Sequence, residues 1–307
     1  MPFDILNKCS LCGHACRVDR LAGEKGVCGL GPEIKVAAHL LHFGEEPPLS
    51  GERGSGTIFF SGCPLSCVFC QNFQVSQENK GREVSSSELA RLMLDLQSQG
   101  AHNINLVSPT PYAAGIIPAL SEARRMGLAV PLVYNTGGFD GPAALRMLDG
   151  LVDVYLPDAK YAWGETAEKY SGAANYVGVN RAALREMHRQ AGPLRLDENG
   201  LARGGVLIRH LVLPGRLAET EAVLAWLKKE FGPDVWISLM AQYAPFFRAA
   251  REPGVFPELE RRLTEDEYEA AMDAALDLGL ENVFIQETSS AETYLPDFDR
   301  PEVFSRE

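Results

Sequence analysis

Long apolar runs are missing from this 307-residue chain: none approaches the roughly 20 residues needed to cross a bilayer, so no membrane-spanning helix is expected. Positive charge is scarce as well. The 29 Lys and Arg are outnumbered by 41 Asp and Glu, for a net charge of −12. Proteins that follow a phosphate backbone grip it with clustered cations, so nucleic acid is not an expected partner. The first residues, Met1-Pro-Phe-Asp4, have neither the basic nor the apolar region of a secretory leader, and seven cysteines cannot all pair with one another. Both absences predict a cytoplasmic protein with reduced thiols. Beyond a strand–helix rhythm there is no internal repeat. What is present, 46% hydrophobic and 23% charged residues, is ample for one large α/β domain or one domain with an appendage.

Cysteine is the informative residue, and it falls into two groups. The first is Cys63-Pro-Leu-Ser-Cys67-Val-Phe-Cys70, three thiols on one short loop just after the apolar segment Thr57-Ile-Phe-Phe60. A cubane iron–sulfur cluster normally takes four thiolates, so a loop that supplies three leaves one iron open to something that is not protein. A zinc knuckle would need a fourth ligand nearby, and the next histidine downstream, His102, lies outside the loop. Unligated structural thiols are the third reading. The second group, Cys9-x2-Cys12-x3-Cys16-x11-Cys28, has four ligands and closes its site, which predicts either a structural zinc or a fully ligated second [4Fe-4S] cluster. His14 lies inside that run as an alternative ligand or a solvated side chain. Gly23, Gly26, Gly29 and Gly31 make the segment rich in turns and poor in core, as suits a metal-stapled module.

From Gly100 onward, amphipathic helices end on glycine and short apolar strands follow. Gly100, Gly127, Gly150, Gly232 and Gly279 are read as helix stops, because glycine adopts the left-handed conformation that closes a last turn. The strands that follow them start at Asn103, Val130, Val152, Val235 and Val283; adding Thr57–Phe60 and the run Val206–Leu213 gives seven. Helices are expected at Ser87–Gln99, Ala113–Met126, Pro142–Asp149, Asn180–Gln190, Ala218–Phe231 and Glu265–Leu278. Strands alternating with helices at this spacing form βαβ units and a parallel sheet buried on both faces, a barrel or incomplete barrel. Residues 193–204 read as a small hairpin around Asn199-Gly200, and the polar, proline-punctuated tail as an extended segment.

In parallel α/β folds ligands sit where strands end. The candidate strand-end residues are Ser108 and Thr110, the segment Asn135-Thr-Gly-Gly138-Phe, Asp158-Ala-Lys160, and Leu213-Pro-Gly215 with Arg209 and His210 inside its strand. Asp158 and Lys160, two apart, point to one side, toward a zwitterion or a ribose hydroxyl, unless they form a plain surface ion pair. Arg209 and His210 lie on opposite faces of an alternating strand, so at most one looks inward. Met240, Gln242 and Tyr243 end the sixth strand as further lining candidates.

The C-x3-C-x2-C loop, with an aromatic residue before its last cysteine, resembles the signature of the radical S-adenosylmethionine (SAM) superfamily. Together with Asn135–Phe139, Asp158–Lys160, Ile208–Gly215 and Ser238–Tyr243, the segment Thr57–Asn72 looks like the matching parts of pyruvate formate-lyase activating enzyme and its homologues, over residues 55 to 245. It looks closest to a poorly characterised branch with four cysteines ahead of the barrel. The resemblance implies an α/β fold, an incomplete parallel (β/α)6 TIM-like barrel (55–288), with an N-terminal Cys-rich metal-binding module (1–54) and an extended tail (289–307). It implies that Cys63, Cys67 and Cys70 hold a [4Fe-4S] cluster, that SAM binds its open iron near Asn135, Asp158, Lys160 and Arg209, and that an oxygen-sensitive enzyme cleaves SAM to abstract hydrogen. The substrate could be the glycine of a glycyl radical protein, another peptide or a small molecule, and the electron donor a flavodoxin or ferredoxin. The reading of another class is a non-catalytic iron–sulfur electron-transfer protein. Where the superfamily often has Gly-Gly-Glu, this chain has Ser108-Pro109-Thr110.

Overall fold

The five glycines expected to stop helices all have positive φ, between 65° and 106°, a region open to glycine and strained for residues with a Cβ. They punctuate a chain whose computed structural model describes residues 2–287, 295–300 and 303–304. In order, the elements are β1 (Ile34–His42), α1 (Pro47–Ser50), β2 (Ser55–Phe60), α2 (Phe73–Ser76), β3 (Arg82–Val84), α3 (Ser86–Ser98), β4 (Ile104–Val107), α4 (Ala113–Arg125), β5 (Leu132–Thr136), α5 (Pro142–Met147) and β6 (Val154–Pro157). Then come α6 (Gly164–Ser171), α7 (Tyr176–Ala191), β7 (Arg195–Leu196), β8 (Ala202–Val206), β9 (Ile208–Leu211), α8 (Leu217–Phe231), β10 (Trp236–Met240), α9 (Phe247–Arg251), α10 (Glu265–Asp277) and β11 (Asn282–Ile285). Among the described residues no helix is long and apolar enough to cross a membrane.

The chain forms two compact units. The first contains the chain up to Leu65, Gln74–Pro157 and Val179–Val206. Its sheet has the order β3-β1-β2-β4-β5-β6-β8-β7, in which β2, β4, β5, β6 and β8 are parallel neighbours, β1 is antiparallel to β2 and β3, and β7 is antiparallel to β8. Every residue of β2, β5 and β6 is buried, as expected for strands covered on both faces. The core joins Ile58, Phe60 and Leu106 of the sheet to Met93 and Leu96 of α3 and Ile116 and Leu120 of α4. A capping box starts α3: the Ser85 hydroxyl accepts from the Glu88 N–H at 3.1 Å, and the Glu88 carboxylate accepts from the Ser85 N–H at 2.8 Å.

The second unit contains Ser66–Phe73, Asp158–Gly178 and the chain from Leu207 onward. Its three-stranded sheet, β11-β10-β9, is parallel throughout, with Leu239 aligned to His210 on one side and Ile285 on the other. A second capping box, Thr264 with Glu267, starts α10, which packs on α8. The Glu267 carboxylate also takes the Gly215 N–H at 2.7 Å and both outer nitrogens of Arg261.

The structure departs from the sequence reading in several places, the short elements α1, α2, β3 and α9 among them. No strand was expected before Thr57, yet β1 pairs with β2 and β3; a register shift between Val36 and Ala38 breaks the alternation that marks a half-buried strand. The short helix α6 was also unexpected, although Gly172, in the left-handed region at φ 65°, closes it as the other glycines close theirs. The run Val206–Leu213, expected as one strand, is two, with Leu207 between β8 and β9. Finally, α7 begins four residues earlier than Asn180, at Tyr176. The hairpin around Asn199-Gly200 is present as β7 and β8. Most of the extended tail expected at 289–307 lies outside the described residues.

Candidate functional site

In the second unit, the segment carrying Cys67 and Cys70 is laced to the carboxyl end of α6. The Ser66 N–H donates to Ser171 O at 3.0 Å and the Val68 N–H to Tyr170 O at 2.9 Å. These bonds bring Cys67, 8% exposed, beside the buried Ser171, whose hydroxyl lies 2.9 Å from the thiol sulfur and 2.7 Å from the Tyr161 hydroxyl. A deprotonated sulfur can only accept, so Ser171 then donates to it and receives the Tyr161 hydroxyl hydrogen. The segment ends with Gln71 Nε2 donating to Gln242 O at 3.2 Å, which ties the residue after Cys70 to the end of β10. Tyr243 instead commits its hydroxyl to Leu259 O at 2.7 Å.

Asp158, Lys160 and Arg209 converge in the same unit. Asp158 accepts from Lys160 Nζ at 2.5 Å and from Arg209 Nε at 2.9 Å. Burial pushes the Asp158 carboxyl up, but the Lys160 and Arg209 charges beside it win and hold it below the usual carboxylate range. Two cations share one carboxylate, so the strip carries one net positive charge. Its backbone is fixed by neighbours: the Tyr176 hydroxyl donates to Asp158 O at 3.0 Å and accepts the Lys160 N–H at 3.1 Å, and the Ala159 N–H donates to Arg209 O at 2.7 Å.

His210 faces away from this strip, as the strand parity requires, and is 2% exposed. Its Nδ1 lies 2.7 Å from Ala159 O and its Nε2 3.0 Å from the Thr220 hydroxyl. A carbonyl only accepts, so Nδ1 carries the hydrogen and Nε2 accepts from Thr220. Burial holds its pKa down to about 4, against which the Ala159 contact is a smaller, raising influence. The unfolded chain takes up this proton near pH 6.5 and the folded chain only near 4, so the stability present above 6.5 is lost as pH falls through that window. The window is worth about 3 kcal/mol at 1.36 kcal/mol per unit. We expect urea midpoints of the wild type to drop between pH 7 and 4.5 and those of His210→Gln to drop markedly less; parallel profiles would remove His210 as the source.

In the first unit, Cys63 accepts a weak bond from the Leu65 N–H, 3.5 Å from its sulfur. Ser108 directly follows β4 with φ 58°, and its N–H donates to Asn135 O at 2.9 Å at the end of β5. Thr110 is directed elsewhere. Its hydroxyl donates to the buried carboxylate of Asp140 at 2.7 Å, which also accepts from Thr136 at 2.6 Å and Tyr134 at 3.0 Å. Burial raises the Asp140 carboxyl above its ordinary range despite these three hydroxyls.

Cys9, Cys12, Cys16 and Cys28 line one small cavity of this unit with His14, Arg20 and Pro64. The chain folds back there through N–H donations from Cys9 to Val18 O at 3.0 Å and from Arg17 to Cys9 O at 2.9 Å. Gly26 leaves the room: a Cβ on it would stand 2.4 Å from the Cys16 sulfur. Burial pushes the Cys12 thiol up to about 12 and raises that of Cys28. His14 is engaged outside the tetrad, with Nε2 2.7 Å from Pro64 O and its ring edge-on to Phe139. All seven cysteines are free thiols, and among the described residues no three His, Cys, Asp or Glu side chains are drawn together as around a single ion. The donor set of the tetrad, four soft thiols on one apolar wall, has the chemistry of a zinc or iron–sulfur site.

The sequence reading missed Ser171, Tyr161, Asp140 and Arg20. Only Asp140 had a local signal, one residue past Asn135–Phe139; Ser171 meets Cys67 across 104 residues and Arg20 meets Pro111 across 91.

A model of the Radical SAM superfamily matches residues 57–189. Uncharacterized protein MJ0674 of Methanocaldococcus jannaschii is 31% identical over 291 residues, covering 92% of this chain and 78% of that protein. Among solved structures, Streptococcus suis SuiB bound to precursor peptide SuiA is similar with a TM-score of 0.50 at 10% identity, over 75% of this chain and 48% of SuiB. Native anSMEcpe with bound AdoMet is similar with a TM-score of 0.48 at 12% identity, over 73% of this chain and 61% of that one. The chain thus spans about half the length of SuiB and about three fifths of anSMEcpe. The likeness to SuiB is one of fold, an α/β architecture with a mostly parallel sheet.

Proposed function

The chain belongs to the radical SAM superfamily, and from that premise we propose that it is an enzyme that reductively cleaves SAM and abstracts hydrogen from a substrate. The observation that carries the reading is the thiol deficit of the loop Cys63-x3-Cys67-x2-Cys70, three ligands where a closed cubane needs four. When bound there, a [4Fe-4S] cluster supplies the electron that splits the sulfonium of SAM and releases the 5′-deoxyadenosyl radical. The chain's own residues do the rest. Ser171 supports the Cys67 sulfur with a hydrogen bond, one of the levers by which a protein tunes such a centre. The net positive strip of Lys160 and Arg209 around Asp158 suits an anionic group, such as the carboxylate of the methionyl moiety. Asn135, Ser108 and Gln242 complete the residues proposed for SAM, whereas the Thr110 hydroxyl is held by Asp140.

The substrate we favour is the glycine of a glycyl radical protein, as in an activase of the pyruvate formate-lyase activating type, with a flavodoxin or ferredoxin as donor; peptides and small molecules are the other arms of the test. Residues 1–54 act as a metal-binding module beside the SAM-cleaving part. The decisive assay reconstitutes the full chain without air, adds dithionite and SAM, and measures 5′-deoxyadenosine. Turnover is expected, and a fully loaded protein that forms none would end the enzyme reading. Candidate substrates are then compared by deuterium transfer into 5′-deoxyadenosine.

A further inference from the structure

Arg20 is 1% exposed and heads the largest fully buried side chains of the protein. Its Nε donates to Gly31 O at 3.0 Å, its Nη2 donates to the same carbonyl, and its Nη1 donates to Pro111 O at 2.7 Å. These main-chain acceptors take up three of the five N–H donors of the guanidinium and none of its charge. Among the described residues Arg20 forms no ion pair with a carboxylate. A buried charge is tolerated when a charge of opposite sign lies beside it and is strongly unfavourable when none does. The groups that share its cavity and can carry negative charge are the thiols of Cys9, Cys12, Cys16 and Cys28.

We propose that Arg20 is the buried counter-cation of an anionic metal–thiolate centre held by these four cysteines. Four thiolates around a zinc ion or around an oxidised [4Fe-4S] core leave a net dianion in either case, so one guanidinium offsets half of it. Protonated thiols offer no such charge. The loaded tetrad is therefore the state in which burying Arg20 is favourable, and the empty one the state in which it is not. The inference rests on the reading of residues 1–54 as a metal module and is independent of SAM cleavage.

The test uses the full chain carrying Cys63→Ala, Cys67→Ala and Cys70→Ala, in which the tetrad is the remaining cysteine site, purified without air. Iron, zinc and acid-labile sulfide per chain are measured, and melting temperatures are recorded for the loaded protein and after stripping with a chelator. One zinc, or a cubane's complement of iron and sulfide, is expected; a chain that holds no metal overturns the proposal. In this background Arg20→Met should lower the melting temperature of the loaded protein and raise that of the stripped one. Shifts of the same sign in both states would show that Arg20 is a packing strut and overturn the assignment. If Arg20→Met does not fold, Arg20→Lys decides: with the charge retained, metal loss to the chelator should stay within about threefold of the parent rate, whereas a loss of about tenfold or more, the usual effect of removing a supporting contact, overturns it.

Discussion

Replacing Cys67 with alanine is expected to lower 5′-deoxyadenosine formation by at least about a thousandfold, to the background of unreacted SAM. Cys67 is the middle cysteine of the loop and the most buried of the three, and its sulfur has the Ser171 hydroxyl within hydrogen-bond distance. Its loss leaves two thiols, too few to retain a cubane through turnover. The effect should appear equally as loss of the broad visible absorption of the cluster in the reconstituted protein. Cys12→Ala serves as the contrast, since the two proposed metal sites would draw on separate cysteines: SAM cleavage should survive it while metal content falls. Full cleavage by Cys67→Ala, or equal inactivation by both substitutions, would refute the separation of roles. Ser171→Ala should fall between these extremes, because it removes a bond to the ligand and leaves the ligand itself.

The second large effect concerns stability. Asp158→Asn leaves Lys160 and Arg209, 17% and 16% exposed at their side chains, facing each other without the carboxylate that separates them. Breaking such a pair by deleting one partner typically costs about 3–5 kcal/mol, since the remaining charge is stranded in a poor solvent. The pH dependence has a definite sign. Because the folded carboxyl sits below its ordinary value, its contribution is fully present above the unfolded carboxyl range near pH 3.9 and disappears as pH falls through the folded value. Urea melts at pH 7 should therefore show the whole difference between Asp158→Asn and wild type, and the difference should begin to shrink only as pH falls below about 3.9. A variant within about 1 kcal/mol of wild type at pH 7 would mean that the triad is no more than a surface pair. Adding Lys160→Met to Asp158→Asn should recover part of the loss, because it removes one of two like charges left side by side.

Much of the fold was legible because its signals are local. Glycine at 100, 127, 150, 232 and 279 marks the helix ends, and Ser85 with Glu88 marks a helix start, each within a few residues of the element it controls. β1 was not legible, since a bulge interrupts its alternation and its pairing with β2 depends on residues about 20 positions away. The same limit governs the site. Cys63, Cys67, Cys70, Asp158, Lys160 and Arg209 could be selected by type and by their position near strand ends. Their supports could not, because Cys67 meets Ser171 across 104 residues and Arg20 meets Pro111 across 91. Thr110 shows the converse: a strand-end hydroxyl that looks available in sequence is drawn to Asp140, 30 residues on.

Three consecutive residues, Asp158, Ala159 and Lys160, each have a main-chain group anchored by Tyr176, Arg209 or His210. Side chains mounted on so fixed a stretch do not wait for an incoming molecule to arrange them. Encounter and capture then merge into one event: association should follow a single exponential whose rate rises linearly with concentration, without the plateau that a slow rearrangement imposes.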